Sequence, residues 1–81
     1  AQQNILALLH TFETAALHMS FTKAATTLSL TQGAVSQRMR SLESMLGFRL
    51  FIRMTRKLQL TDEGERLLSV LAFSLKRISD E

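Results

Sequence analysis

Residues 20–46, SFTKAATTLSLTQGAVSQRMRSLESML, carry two short helical patterns joined by a tight turn. Ser20 suits an N-cap, after which Phe21, Ala24, Ala25 and Leu28 fall on one inward face. Ser29-Leu30 makes the turn, with Leu30 as a buried anchor, and Thr31 caps the following helix. That helix stops at Gly47, a residue suited to the left-handed C′ position. Within it Val35, Met39, Leu42 and Leu46 follow a 4-3-4 spacing and form a buried stripe. At about 100° per residue, Gly33, Gln37, Arg40 and Ser44 lie opposite that stripe, with Ser36 and Ser41 on its flanks. Surface helices mostly show Glu and Lys on the outer face. This one shows hydroxyls, amides and arginine, the groups that pair with base edges. Ala24 and Ala25 would let the two helices cross closely, as a helix-turn-helix requires, although an alanine pair also serves plain helix propensity.

Outward from this stretch, Ile5, Leu8, Leu9, Phe12 and Ala16 form one apolar stripe, which predicts a first helix from about Asn4 to His18. Beyond Gly47 the period changes. Leu50–Arg53 and Lys57–Leu60 read as two short strands around Met54-Thr55-Arg56, a hairpin that makes a wing. Its turn lacks the Gly or Asn of tight hairpins, so a longer or irregular tip is expected. Thr61 caps a last helix whose Asp62 and Glu63 complement the helix dipole. Gly64, Leu68, Leu71, Leu75 and Ile78 follow 4-3-4-3 spacing there, with Leu67 beside them, while Val70 and Phe73 lie off the stripe. A second apolar face asks for a partner subunit, or for packing against the first helix. The fold class is therefore mainly α: a winged helix-turn-helix of three helices plus a short β-hairpin over residues 1–60, then a long linker or dimerisation helix over 61–81.

The 81 residues make one small domain, near the lower limit for a single unaided core. Cysteine is absent, which excludes disulfides and thiolate metal sites and fits the reducing cytoplasm. No apolar run approaches the roughly 18 residues of a membrane span. Ala1 in place of Met, and an end inside a charged helical pattern, suggest an excised segment. The net charge of +3 is unevenly spread. Residues 31–60 hold Arg38, Arg40, Arg49, Arg53, Arg56 and Lys57 against Glu43 alone, whereas residues 1–30 balance to zero and 61–81 are net acidic. A basic centre argues for a polyanion at one surface, against the alternative of an ordinary solvated face.

Phe12, SFTKAA at 20–25, TQGAVSQRMRSLE at 31–43, LGFRLFIR at 46–53 and LTDEGERLL at 60–68 together resemble the N-terminal DNA-binding domain of LysR-type transcriptional regulators. The order and spacing agree over about two-thirds of the chain. LHTFETAALHMSF at 9–21 is further similar to regulators of glycine cleavage and D-serine catabolism. The resemblance implies a bacterial regulator that dimerises through its last helix and works as a tetramer. It also implies a small-molecule effector bound by a further domain absent from this sequence. By motif it places DNA contacts at Gln32, Gly33, Ala34, Ser36 and Gln37, and at Arg56 on the wing. Two positions depart from the common pattern: Gly33 stands where many members have Pro or Ser, and Gln37 where Arg is common.

From the residues themselves, Gln32, Ser36 and Gln37 are expected nearest the bases and Arg40 nearer phosphate, with Thr31 capping a helix end whose amides face the backbone of DNA. Arg38 and Arg53 are expected beside phosphates, Arg53 having the alternative of tying the wing to the helices. Position alone leaves Arg56 equally a solvated tip residue; its basic neighbours and the resemblance together imply insertion into a minor groove. Leu67, Val70, Leu71, Phe73 and Ile78 are the dimerisation candidates. An enzyme is disfavoured: His10 and His18 sit on one helix without carboxylates or Cys to complete a metal site, and Ser36 has no general base beside it. No cofactor and no membrane partner is expected. The rival to binding double-stranded DNA is a winged helix serving protein interaction or dimerisation alone.

Overall fold

The computed structural model describes residues 4–55 and 57–79, the side chains of 73–79 excepted. Its elements run α1 (Ile5–His18), α2 (Phe21–Leu28), α3 (Gln32–Leu46), β1 (Phe51–Arg53), β2 (Leu58–Leu60) and α4 (Asp62–Ser79). The order and type of all six match the expected winged helix-turn-helix followed by a long helix.

Each helix start carries a polar side chain that takes up an otherwise unpaired amide. Asn4 Oδ1 accepts from the Leu6 amide, Ser20 Oγ from Lys23, and Thr31 Oγ1 from Ala34, at 2.8, 3.1 and 3.0 Å. The ends are less regular. α3 stops on Gly47 at φ 84°, but α1 and α2 stop on Met19 and Ser29, at φ 49° and 57°. Two side-chain-bearing residues thus occupy the left-handed region, where the cap amides still reach back to Ala15–Ala16 and Ala25–Thr26 carbonyls.

The core lies where α1, α2 and α3 meet. Phe12, Leu8, Val35, Met39 and Leu42 are fully enclosed, and Ala24 and Ala25 are buried at the α2–α3 crossing, as close packing of a helix-turn-helix demands. α1 is rotated from the expected stripe: Thr11 and Ala15 are buried while Ile5 faces solvent. Thr11 tolerates this because its hydroxyl donates to the Ala7 carbonyl at 2.8 Å. Leu30, expected as a buried anchor, is only half-buried, packed at the margin of the core.

β1 and β2 pair antiparallel with Phe51 opposite Leu60 and Arg53 opposite Leu58. Each strand is one residue shorter than expected, with Lys57 and Leu50 just outside them, and Leu50 serves the junction with the helices. Its amide donates to Glu43 Oε2 at 2.7 Å, and its carbonyl accepts from the Thr61 amide at 3.0 Å. Phe51 then plugs the hairpin into the core, 5.5 Å from the ring of Phe12 and 5.2 Å edge-on to Phe21. α4 leaves this junction at Thr61, whose hydroxyl donates to the Arg49 carbonyl at 2.6 Å and accepts from the Gly64 amide at 3.0 Å. Gly64 belongs to the buried stripe for want of a side chain: a Cβ there would collide with the Leu50 carbonyl and come within 3.1 Å of Leu60 Cδ2. No helix among the described residues is long and apolar enough to cross a membrane.

Candidate nucleic-acid interface

α3 turns Val35, Met39 and Leu42 inward and leaves Gln32, Gly33, Gln37 and Arg40 exposed. The inward residues are what hold the outward ones at fixed angles. At its start, Thr31 takes the Ala34 amide, so the amides of Gln32 and Gly33 stay at the open end of the helix, which favours anions. Ala34 is half-buried.

Ser36 differs from its place on a helical wheel. It is buried, and its hydroxyl accepts from Arg53 Nη2 and, at 3.4 Å, from Arg40 Nη1. The flank expected to face outward is therefore covered by the hairpin, and Ser36 is a junction between α3 and β1. Arg53 reaches it across the face of Phe21, with its guanidinium carbon 4.9 Å from the ring centroid. Arg40 also donates from Nη2 to Gln37 Oε1 at 3.1 Å. Ser36, Gln37, Arg40 and Arg53 form one connected polar group, which spacing alone did not reveal.

Arg38 points the other way. Half-buried, it donates to Thr11 Oγ1 at 3.1 Å and so ties α3 to α1. A groove of about 460 Å³ runs between the starts of α2 and α3 and the hairpin, lined among others by Ser20, Gln32, Arg53, Thr55 and Lys57. Arg56 lies outside the described residues. The strands on either side of it are closed by the Met54 amide, which donates to the Lys57 carbonyl at 2.9 Å.

Two residues with structural duties at this face escaped the sequence reading. Glu43 accepts from both the Leu50 and Phe51 amides, at 2.7 and 3.2 Å, and so fixes the angle at which the hairpin leaves α3. Thr11 supplies the anchor for Arg38. Neither has a local signal, since each acts across a distance in sequence that only the fold closes.

Of the dimerisation candidates, Val70 is 60% exposed, whereas Leu67 and Leu71 are half-buried against the chain's own core. The side chains of Phe73 and Ile78 lie outside the described residues.

The family model for the bacterial regulatory helix-turn-helix proteins of the lysR family matches residues 6–65. The HTH-type transcriptional activator AmpR of Yersinia enterocolitica is 53% identical over 72 residues, covering 89% of this chain and 24% of that protein. The HTH-type transcriptional regulator DsdC of Escherichia coli K12 is 49% identical over 76 residues, covering 94% of this chain and 24% of its own length. The chain thus spans about a quarter of the length of these curated relatives. Among solved structures, the BenM DNA-binding domain in complex with catB site 1 DNA superposes with a TM-score of 0.83 at 31% identity, covering 93% of this chain and 83% of that one.

Proposed function

The chain belongs to the lysR family of bacterial regulatory helix-turn-helix proteins, and on that premise we propose that it binds double-stranded DNA sequence-specifically, as the DNA-reading part of a transcriptional regulator. The observation that carries this reading is the surface of α3: a rigidly buried stripe behind it, and Gln32, Gly33, Gln37 and Arg40 exposed in front. A helix of that composition fits the major groove with its N-terminal half toward the base edges. The BenM domain, alike in fold and sequence, is itself in complex with DNA, which supports DNA as the partner.

In this reading Gln32 and Gln37 face bases, and Gly33 and Ala34 let the helix approach closely. The open amides beyond Thr31 meet a phosphate. Arg40 sits between base edge and backbone. Ser36 and Arg53 hold the hairpin to α3, which is one of the two roles open to Arg53, and Arg38 holds α3 to α1. Lys57 and Arg56 are assigned to the backbone and minor groove beside the wing. Val70, with Phe73 and Ile78 further along α4, is assigned to a homodimer; Leu67 and Leu71 serve the chain's own core first. The tetramer, an effector-binding domain and a cytoplasmic setting follow from the family likeness, and no catalytic role is assigned.

A salt titration tests the proposal. Binding to random duplex should fall steeply with ionic strength, because each neutralised phosphate releases counterions. A duplex selected from a randomised pool should bind on the order of a thousandfold tighter than random sequence at the same salt. A flat salt dependence would return the chain to the rival reading, a winged helix for protein contacts.

A further inference from the structure

Gln37 and Arg40 stand one turn apart on the exposed side of α3, and Arg40 Nη2 donates to Gln37 Oε1 at 3.1 Å. A guanidinium has donors only, so the amide atom turned toward it must be the oxygen. The other edge of the guanidinium donates to Ser36 Oγ at 3.4 Å, and Ser36, buried, also receives Arg53. Arg40 is therefore held from behind, and it holds Gln37 in one orientation, with Oε1 turned to the guanidinium and Nε2–H₂ turned away from it.

That orientation changes what Gln37 can read. A free glutamine pairs with adenine by donating to N7 while accepting from the N6 amino group. Here one of the two lone pairs of Oε1 is taken by a charged donor, and an adenine amino group brought to the other would lie beside the guanidinium, donor against donor. Guanine presents two adjacent acceptors, O6 and N7, to the major groove. An all-donor tip of amide and guanidinium suits that edge. We propose that Arg40 sets the reading polarity of Gln37, so that the pair selects guanine where glutamine alone would select adenine. This rests on the reading of α3 as a major-groove helix.

The experiment is selection of randomised duplexes by the 81-residue chain and by its Gln37→Ala and Arg40→Ala variants, followed by affinity measurements on the selected site. A G·C pair should be enriched at the position that Gln37→Ala flattens. Replacing that guanine with 7-deazaguanine, which lacks the N7 acceptor, should weaken the parent chain about tenfold and leave Gln37→Ala unaffected. Arg40→Ala should move the preference at that same position from G·C to A·T. The proposal is overturned by A·T at that position in the parent chain, by no position responding to Gln37→Ala, or by Arg40→Ala weakening all duplexes alike with the base preference intact. In those cases sequence-specific binding itself still stands. Failure to enrich any sequence would overturn that reading, and this one with it.

Discussion

Arg53 is exposed yet engaged on two sides, by the Ser36 hydroxyl and by the ring of Phe21. At an exposed site a cation–π contact contributes about 0.5–1 kcal/mol, and the hydrogen bond to a buried hydroxyl adds to it. Arg53→Ala should therefore cost about 1 kcal/mol and lower the melting temperature by roughly 4–8 °C for a domain of this size. If it shifts the salt slope of DNA binding while melting is unchanged, Arg53 is a phosphate contact instead. Glu43 is the sharper case. Its carboxylate is the acceptor for the amides of Leu50 and Phe51, two residues with essentially no exposure. Each buried amide left without an acceptor costs about 1–3 kcal/mol. Glu43→Ala should then destabilise by about 2–6 kcal/mol in urea unfolding, seen as a lower midpoint with an unchanged m-value. Glu43→Gln, which keeps one carbonyl oxygen, should retain much of that stability.

Among the elements, α3 contains a residue that stability alone would not choose. Gly33 is exposed, helical, and has room for a side chain: a Cβ would meet only Thr31 Oγ1, at 3.9 Å. Gly33→Ala should thus stabilise the fold by about 0.5–1 kcal/mol through helix propensity, raising the melting temperature by a few degrees. If DNA affinity falls in the same variant, the glycine serves close approach of α3 to the duplex. Gly64, in α4, is the opposite. There the Leu50 carbonyl occupies the space of a Cβ, so Gly64→Ala must push backbone against backbone and should cost about 1–3 kcal/mol. The contrast also marks what could be read from the sequence. Helix starts were legible because Ser20, Thr31 and Thr61 are strong local caps, and the α3 face because its period is regular. The ends of α1 and α2 carry no glycine, and Met19 and Ser29 adopt left-handed geometry because the chain between helices must turn there. The burial of Ser36 was not legible for a different reason: what covers it is Arg53, seventeen residues further on, brought over by the hairpin.

At the scale of the molecule, α4 carries apolar residues that the chain itself covers, and Val70, which it leaves exposed. Leu67 and Leu71 pack toward the core, and Val70, about 60° around the helix from Leu67 and about 100° from Leu71, remains 60% exposed. A charge placed at an already solvated position costs the monomer little, so Val70→Glu separates association from folding. Burying the remaining surface of two valines across a two-fold axis contributes roughly 2 kcal/mol. Its loss weakens a dimer by about 30-fold, before two facing carboxylates add repulsion. The variant should therefore sediment as a folded monomer at concentrations where the parent chain dimerises, with its circular dichroism and melting curve close to those of the parent. DNA binding should change in kind as well as in strength. A dimer reads two half-sites at once, one helical turn of roughly 34–36 Å or a multiple of it apart, and its salt slope counts the phosphates of both. Val70→Glu should then halve the slope and lose the preference for paired half-sites, while keeping the base preference within each. A parent chain that sediments as a monomer even at high concentration would remove α4 as an interface, and Val70 would be one more solvent-facing apolar side chain.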